Sequence, residues 1–306
     1  MIARVFPSKT KATPCDEDAY FDEPGLFEKN KGYTKVDVSV TFTWDVPRAK
    51  ELARQWEKIA PVEIGGPGVG TRGEYFVPGK YIKPGYVITS RGCPNHCWFC
   101  SVWKREGDVI RELPICDGWN ILDDNLFSCS EPHIRSVFEM LKRQKRRPEF
   151  TGGIEAAKLK PWHVDLLLSA RPQQFFCAYD DQEDLEPLVI ASRMIREAGF
   201  NPRQFRTYVL IGYPKDTIEA AEKRLIQVCE LGSFPMAMLW KNNNGDTDKN
   251  WRRFSRGWAR PALISRYFKK LMPPSASCNK IWNPGEGQDD QLNFIGSREE
   301  SADDAL

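Results

Sequence analysis

The chain has 306 residues, of which 41% are hydrophobic and 28% are charged, and its formal net charge at pH 7 is +2. Such a chain is long enough for one large domain or one and a half, and its composition is typical of a soluble globular protein. No apolar run reaches the roughly 18 residues that a membrane span requires, and the first residues lack the apolar core of a secretory signal. Nine cysteines without such a signal favour a reducing compartment, so we expect a cytoplasmic protein with no membrane partner.

Charge is distributed unevenly along the chain. The segment 285–306 contains seven acidic residues and one basic residue, which predicts a disordered acidic tail. By contrast, the segment 251–270 contains seven basic residues and no acidic residue. We therefore expect an N-terminal region, a central domain, a basic and aromatic segment and the acidic tail, at residues 1–85, 86–245, 246–284 and 285–306.

The N-terminal region contains the pattern of a small β-α-β unit. Residues 1–34 are rich in Pro, Gly, Asp and Lys and indicate an extended, loop-like lead-in. Residues 35–42 alternate strictly, as in a half-buried strand, and apolar residues from Ala49 to Ile59 recur at helical spacing. A second short strand at residues 62–64 ends in a glycine-rich turn. This turn is not a phosphate-binding loop, because the Lys-Ser/Thr pair is absent and no long helical pattern follows.

From residue 86 onward, strand-like runs alternate with helical patterns. The predicted strands are Tyr86–Thr89, Trp119–Leu122, Glu149–Gly152, Gln174–Ala178, Thr207–Ile211 and Pro235–Trp240. Strands that alternate with helices predict parallel pairing with right-handed crossovers. The connection 101–118 is too short and too broken by Pro and Gly for a full helix, so we expect a loop there.

The helical patterns between these strands carry start and stop signals. Ser130 opens one helix, another follows Pro161, and a third is ended by Gly199. Asp216 with Glu219 resembles a capping box at the start of the next helix.

Three cysteines, Cys93, Cys97 and Cys100, follow the first of these strands at the spacing C-x3-C-x2-C. Thiolate is the ligand of iron–sulfur clusters, and a protein that only carries electrons normally supplies four thiolates. A loop with three thiolates can bind three irons of a cubane cluster and leave the fourth iron open to a small molecule. A zinc site, which would need a fourth ligand, and a plain electron-transfer cluster are the alternatives, and His96 is expected to point away from its cysteine neighbours.

The other cysteines are scattered without ligand spacing, so an auxiliary cluster is not predicted. They are Cys15, Cys116, Cys129, Cys177, Cys229 and Cys278. Cys177 and Cys229 lie in apolar surroundings that are typical of inert core residues. His163 stands at a helix start, and we expect it to be structural or solvent-facing.

The cysteine spacing, with the aromatic residue Phe99 just before the last cysteine, resembles that of the radical S-adenosylmethionine (radical SAM) superfamily. The resemblance extends over roughly residues 35 to 240. It implies a [4Fe–4S] cluster on the three cysteines, with S-adenosylmethionine (SAM) bound to the open iron through its amino and carboxylate groups. It also implies an α/β fold, a partial six-stranded parallel (β/α)6 barrel with its chemistry at the carboxyl ends of the strands.

The N-terminal β-α-β unit is similar to the cobalamin-binding-like domain that precedes the barrel in some radical SAM proteins. The cobalamin signature D-x-H-x-x-G is absent, because the three histidines of the chain are His96, His133 and His163. The resemblance therefore implies a reduced, cofactor-free remnant, and no cobalamin is expected.

Residues at the predicted strand ends match positions where radical SAM proteins contact SAM. Those implied by the resemblance are Phe99, Asp123, Asp124, Asn125, Gly153, Glu155, Tyr179, Asp180, Ile211 and Gly212. Residues 123–125 correspond to the site of the methionine amino group, residues 179–180 to the ribose site and residues 211–212 to the adenine site. Gly153 would let the backbone approach a ligand closely, and Glu155 would bind ribose or substrate. Ordinary helix-leading turns favour the same residue types and are the alternative.

The activity implied by the resemblance is reductive cleavage of SAM to a 5′-deoxyadenosyl radical, which abstracts hydrogen from a substrate. Such an enzyme needs an external one-electron donor such as a flavodoxin or a ferredoxin. A small molecule or a peptide is the expected substrate. Nucleic acid is a further class, because the basic and aromatic stretch 251–258 could bind phosphates and stack bases, unless it is a helix that covers the barrel. The alternative function is a non-enzymatic metal-binding or iron–sulfur electron-transfer protein that uses the same thiols.

Overall fold

The structure, a computed structural model, describes residues 1–271. These residues form two compact units, Met1–Val69 and the chain from Gly70 onward. Residues 70–85, which the sequence groups with the N-terminal region, belong to the second unit. The predicted acidic tail and Cys278 lie outside the described residues. No helix among residues 1–271 is both long and apolar enough to cross a membrane.

The first unit is a parallel sheet with a helix packed against it. Its strands are β1 (Ile2–Val5), β2 (Ala19–Tyr20), β3 (Lys35–Ser39) and β4 (Val62–Gly65), and the helix is α1 (Val46–Trp56). The order across the sheet is β2-β1-β3-β4. The predicted β-α-β unit is confirmed and consists of β3, α1 and β4.

The prediction of a loop-like lead-in over residues 1–34 is wrong. β1 lies inside the sheet, where Ile2–Val5 pair in parallel with β3, and Arg4 and Val5 also pair in parallel with β2. The side chains of Ala3 and Val5 are completely buried. A strand of four residues gives too little alternation to be detected in the sequence, and its conformation depends on the strands beside it.

The core of the first unit is built from the apolar face of α1. Ala49, Leu52, Ala53 and Trp56 are buried, as their helical spacing predicts. The Trp56 indole also donates a hydrogen bond of 3.0 Å to the carbonyl oxygen of Asp22. This contact fixes the connection between β2 and β3 against the helix.

The second unit contains a six-stranded parallel sheet. Its strands are β5 (Tyr86–Val87), β8 (Asn120–Ile121), β9 (Glu149–Phe150), β10 (Gln174–Ala178), β11 (Phe205–Ile211) and β12 (Phe234–Leu239). A separate antiparallel ladder pairs β6 (Ser90–Arg91) with β7 (Arg111–Glu112). The order β12-β11-β10-β9-β8-β5 follows the chain, so each strand lies beside its predecessor in the sheet. The α/β class with a parallel sheet is confirmed, and the partial barrel stays a prediction.

Helices connect these strands and cover the second unit. They are α2 (Val102–Glu106), α3 (Glu131–Lys142), α4 (Pro161–Ala170), α5 (Leu185–Glu197), α6 (Ile218–Glu230), α7 (Lys249–Trp258) and α8 (Pro261–Leu271). Short 3-10 helices occupy turns of both units, at Glu28–Asn30, Thr43–Asp45, Pro67–Val69, Leu126–Ser128, Ala156–Lys158 and Gln182–Asp184.

The starts of α3 and α6 test the capping residues that the sequence predicts. α3 begins after Ser130, whose hydroxyl accepts a hydrogen bond from the third residue beyond it, as predicted. α6 begins after Thr217, whose hydroxyl accepts from the backbone N–H of Ala220 at 3.2 Å. The predicted capping box of Asp216 and Glu219 is therefore wrong, and Asp216 makes other contacts.

Some strands are shorter than predicted, because the chain turns out of the ladder at glycine and polar residues. β9 ends at Phe150, although the N–H of Gly152 still donates to the carbonyl of Ile121 at 2.9 Å. The segment 101–118 is not the expected loop throughout, since α2 and β7 occupy part of it.

α7 and α8 complete the apolar core of the second unit. Trp258 of α7 and Ile264 of α8 are buried in it. The Trp258 ring also stacks on Tyr267, with ring centroids 5.1 Å apart. These contacts support the interpretation of segment 251–258 as a covering helix.

Candidate functional site

The three cysteines of the C-x3-C-x2-C motif lie on one loop between β6 and α2, which we call the thiol loop (Cys93–Cys100). The backbone N–H of Cys93 donates to the carbonyl of Gly107 at 3.2 Å, and that of Cys100 donates to the carbonyl of Cys97 at 3.1 Å. The Trp103 indole donates to the same Cys97 carbonyl at 3.2 Å. The loop is therefore held by α2, which follows it directly.

Two of the sulfur atoms accept hydrogen bonds. The backbone N–H of Val102 lies 3.4 Å from Cys100 Sγ, and the side-chain amide nitrogen of Asn125 lies 3.6 Å from Cys93 Sγ. Burial, followed by the charges of Cys100 and Cys93, raises the pKa of the Cys97 thiol to about 11. The thiols are thus close enough to repel one another when ionised, and N–H donors to sulfur are a feature of thiolate-bound clusters.

His96 points away from the sulfur atoms, as expected. Its ring lies 4.8 Å from the ring of Trp103, and its Nε2 lies 3.5 Å from a carboxylate oxygen of Asp108. Within residues 1–271, no three His, Cys, Asp or Glu side chains are arranged as ligands of a single metal ion.

Asp123 and Asp124 follow β8 and face the start of the thiol loop. Asp123 is buried, and its carboxylate accepts three hydrogen bonds: from Thr89 N–H and the Thr89 hydroxyl at 2.6 Å each, and from the Ser90 hydroxyl at 2.7 Å. Burial raises its pKa. Both carboxylate oxygens hold the chain that leads into the loop, and the contact of Asp123 with a cofactor stays a prediction.

Asp124 holds the next two residues of that chain. One of its carboxylate oxygens accepts from the N–H of Gly92 at 3.0 Å, and the other lies 3.5 Å from the Arg91 guanidinium. Burial raises the pKa of Asp124 although the Arg91 charge opposes this effect. Asp124 is thus a positioning residue for the thiol loop.

Asn125 is the polar group that joins the thiol loop to the rest of the site. It is buried, and its amide nitrogen donates to a Glu155 oxygen at 2.6 Å as well as facing Cys93 Sγ. Its side-chain oxygen Oδ1 is buried and has no hydrogen-bond partner among the described residues. Rotating the amide by 180° would place oxygen against the Glu155 carboxylate, so the orientation is fixed by charge. A buried acceptor without a donor costs free energy. The position is therefore suited to a ligand that donates a hydrogen bond, such as one with an ammonium group.

Glu155 and Gly153 lie beside Asn125 after β9. The same Glu155 oxygen also accepts from the Ser128 hydroxyl at 3.4 Å. Gly153 has a φ of 91°, and a Cβ at this position would meet only the Phe176 carbonyl oxygen, at 3.8 Å. The structure therefore brings Asn125 and Glu155 together beside Cys93, whereas the only neighbour of a Cβ at Gly153 is Phe176.

The two residues predicted at the end of β10 have different surroundings. Tyr179 is fully buried and donates its hydroxyl to Gln227 at 3.0 Å, and its contact with ribose stays a prediction. Asp180 accepts a hydrogen bond from the N–H of Leu210 at 2.9 Å. Burial, with the neighbouring charge of Asp184, raises the pKa of Asp180 to about 7.

At the end of β11, Gly212 is covered by α7. A Cβ on Gly212 would lie 2.9 Å from the Trp251 ring and 3.0 Å from Leu239, and its φ of 72° also favours glycine. Its N–H donates to Asp216 at 2.9 Å, and Asp216 also binds Arg224 at 2.9 Å. The preceding residue, Ile211, is fully buried. Both residues therefore pack inside the protein rather than lining an open surface.

Aromatic residues connect the thiol loop to the turn after β11. The Trp98 ring lies edge-on to Phe99 and to Tyr213, with centroids 5.4 Å apart in each case. Half of the Trp98 surface is exposed. Phe99 and Trp98 both belong to the thiol loop, and Trp98 and Tyr213 are site residues that the sequence analysis missed.

A buried ionic cluster around Glu106 is the second feature that the sequence analysis missed. The Glu106 carboxylate binds Arg111 at 2.8 Å and Arg105 at 3.0 Å, and both of its oxygens accept from the N–H of Gly73 at 3.2 Å. Arg111 also donates to the carbonyl of Gly73 at 3.1 Å. The cluster fixes the end of α2 and thereby the far side of the thiol loop. Glu106 stands in a charged stretch of the sequence, which gives no sign of its burial.

The remaining cysteines and His163 have structural surroundings. Cys177 and Cys229 are buried, and burial raises the pKa of each thiol to about 12, as expected for inert core residues. His163 is buried against Phe127, with stacked rings 4.2 Å apart, and burial lowers its pKa to about 4. The structural alternative for His163 is confirmed.

Comparison of the chain with protein-family models and with curated proteins gives no match. The surroundings of the three thiols are therefore the basis for a functional proposal.

Proposed function

We propose that the protein is a radical SAM enzyme in which Cys93, Cys97 and Cys100 hold a [4Fe–4S] cluster and SAM binds at its open iron. The observation that carries the proposal is the position of Asn125. Its amide nitrogen faces Cys93 Sγ and binds Glu155, while its buried Oδ1 has no donor within the described part of the chain. A cluster with three protein ligands, next to an unused buried acceptor, suits a ligand that carries an ammonium group.

The fold supports the same proposal. The thiol loop follows the first strand of the six-stranded parallel sheet, and Asn125, Glu155 and Asp180 follow the next three strands at the same edge. Ligands of parallel α/β proteins bind at this carboxyl edge of the sheet. We propose that the sheet forms the partial six-stranded barrel that the resemblance implies.

The cluster and SAM, when bound, supply one-electron reductive cleavage and hydrogen abstraction from a substrate. The chain's own residues position that chemistry. Asn125 Oδ1 would accept a hydrogen bond from the ammonium group of bound SAM, and Asp124 holds Gly92 at the entry to the thiol loop. Trp98 contacts Tyr213 and so ties the thiol loop to the turn after β11.

The partners follow from this chemistry. The electron comes from an external one-electron donor such as a flavodoxin or a ferredoxin. A small molecule or a peptide is the proposed substrate class, because the aromatic residues of α7 are engaged in packing: Trp258 is buried, and Trp251 lies against Gly212.

An iron–sulfur electron-transfer protein is the second candidate. The exposure of Cys97 favours it, since a cluster near the surface exchanges electrons readily with a partner. This candidate uses the same three thiols but needs no ligand at Asn125 Oδ1.

One experiment separates the candidates. Anaerobic reconstitution with iron and sulfide should give a brown protein with about four irons per chain. Addition of dithionite and SAM should then yield 5′-deoxyadenosine. Cys97→Ala should abolish both results, whereas Cys15→Ala, an exposed cysteine of the first unit, should preserve them. A stable cluster that yields no 5′-deoxyadenosine would favour electron transfer, and stoichiometric zinc without sulfide would contradict both candidates.

A further inference from the structure

A cavity of about 500 Å³ lies on the second unit, away from the thiol loop. It is lined by Asp117, Trp119, Arg143, Gln144, Lys145 and Arg146. Trp119 directly precedes β8, and residues 143–146 lie between α3 and β9. Because β8 and β9 are parallel, both parts of the lining lie at the amino-terminal ends of the strands, which we call the amino edge. We call this depression the basic cavity.

The charge of the basic cavity is positive, since its lining has three basic side chains and one acidic side chain, and Glu139 lies near enough to Arg143 to feel its charge. Arg143, Lys145 and Arg146 are exposed, and none of them forms an ion pair with an acidic side chain among residues 1–271. Asp117 supplies the acidic group of the lining, and its carboxylate accepts a hydrogen bond from Gln144 at 3.0 Å. Three cations around one open cavity of this size attract a polyanion.

One of the cations is already oriented. The Arg146 guanidinium lies over the Trp119 ring, 4.8 Å from its centroid. The Trp119 ring in turn lies against Gly85, where a Cβ would come within 2.0 Å of a ring carbon. The indole is thus fixed, and a guanidinium stacked on it keeps its planar fork available for phosphate oxygens. Arginine is suited to bidentate phosphate recognition.

Basic residues continue beyond the cavity along the amino edge. Arg171 is exposed just before β10, whereas Lys142 at the end of α3 is paired with Glu139 at 2.8 Å. Arg147 is engaged as well, because it donates to the carbonyls of Arg171 and Pro172 at 3.0 Å and 2.8 Å and serves the fold. A single phosphate would engage one or two of the exposed cations, whereas a row of them matches a chain of phosphates.

We infer that the basic cavity binds the phosphate backbone of a single-stranded nucleic acid, with Arg143, Lys145 and Arg146 as phosphate ligands. The site is independent of the proposed SAM chemistry, since it lies at the opposite edge of the sheet from the thiol loop. The contacts are to phosphates, so binding is independent of base sequence.

The test measures binding of a fluorescein-labelled 20-nucleotide oligouridylate by anisotropy over a salt series, using the full chain. Affinity should fall steeply with salt. The triple variant R143A/K145A/R146A should bind at least about tenfold more weakly, and its log–log salt slope should be smaller by about 2, because each phosphate contact on a single strand contributes about 0.7. R146K, which keeps the charge but loses the planar fork, should bind with intermediate affinity.

The matched control is R252A/R253A/R256A, which removes three exposed arginines of α7 and changes the net charge equally. It should bind like the unaltered chain. Equal losses in both triple variants, or an unaltered salt slope in R143A/K145A/R146A, would overturn the inference. Competition with inorganic tripolyphosphate is a further check. If it displaces the labelled strand as effectively as unlabelled oligouridylate does at the same phosphate concentration, the inference is overturned, because the site would then take a free polyphosphate. Unchanged binding by R146K would remove Arg146 as a phosphate ligand. Thermal unfolding of each variant checks that the exposed substitutions leave the fold intact.

Discussion

At the carboxyl edge of the six-stranded sheet several carboxylates are buried, whereas at the amino edge three exposed basic side chains line one cavity. Asp123, Asp124 and Asp216 are hydrogen bonded to backbone N–H groups of their own surroundings. Arg143 and Lys145 at the opposite edge are exposed and form no ion pair within residues 1–271. A buried carboxylate is tolerated only when it is fully hydrogen bonded, so the first arrangement fixes a loop. Exposed cations cost little without partners and remain available to a ligand.

The covering of the carboxyl edge by α7 should give the largest effect on stability. Trp258→Ala should lower the free energy of unfolding by about 3–5 kcal/mol, because the ring is buried in the core of the second unit and leaves a cavity. Urea unfolding followed by circular dichroism measures it. Arg252→Ala on the exposed side of the same helix is the control and should stay within about 0.5 kcal/mol. A stable Trp258 variant would show that α7 does not close this core.

Asp123 provides a direct comparison of the two edges. Asp123→Ala leaves the Thr89 N–H and two hydroxyl groups without their buried acceptor, and we expect a loss of about 3 kcal/mol in the free energy of unfolding. Iron incorporation on reconstitution should fall as well, because these groups lead into the thiol loop.

Asp117→Ala at the amino edge is the matched control. Its carboxylate is exposed and accepts one side-chain hydrogen bond, so the free energy of unfolding should change by less than about 0.5 kcal/mol. Similar losses in both variants would mean that burial does not distinguish the two edges.

The smallest expected effect is the dependence of the free energy of unfolding on pH that Asp180 causes. The folded Asp180 carboxyl has a pKa of about 7, while the ordinary value is 3.8, so between these pH values only the folded chain holds the proton. Its contribution to stability is therefore present at low pH and is lost as pH rises toward 7. Asp184, Asp181 and Arg224 are the charged groups that face it.

Comparison of the unaltered chain with Asp180→Asn at pH 5 and pH 8 isolates this group, because the amide keeps the acceptor for Leu210 N–H. The unaltered chain should lose on the order of 2 kcal/mol more than the variant over this interval. Equal pH dependence of the two proteins would show that Asp180 ionises normally in the folded state.

The periodicity of apolar residues in the sequence predicts most of the strands and helices, because each of these elements buries one face. β3, α1 and the strands from β5 to β12 of the six-stranded sheet lie where alternation and helical spacing indicate. β1 is missed, since Ile2–Val5 is too short to show a pattern and becomes a strand only through its neighbours. Elements formed by long-range pairing alone leave little local signal.

The site is predicted less completely than the fold. Position after a strand shows which edge a residue occupies but not which way its side chain points. Asp123 and Asp124 are adjacent and bind different parts of the chain before the thiol loop, and Asn125 faces Cys93. Tyr179 points into the core, although it stands at the predicted strand end. Side-chain direction depends on packing that only the folded chain defines.

The sequential strand order has a consequence for biosynthesis. The polar contacts that frame the thiol loop run from Gly73, bound to Glu106, to Glu155, bound to Asn125, and so belong to one continuous stretch. A ribosome synthesises this stretch before it reaches α5, and domains fold progressively as they emerge. The loop that we propose to load with iron is thus framed early on the nascent chain. Trp251 of α7, which covers Gly212, is added near the end of the described chain.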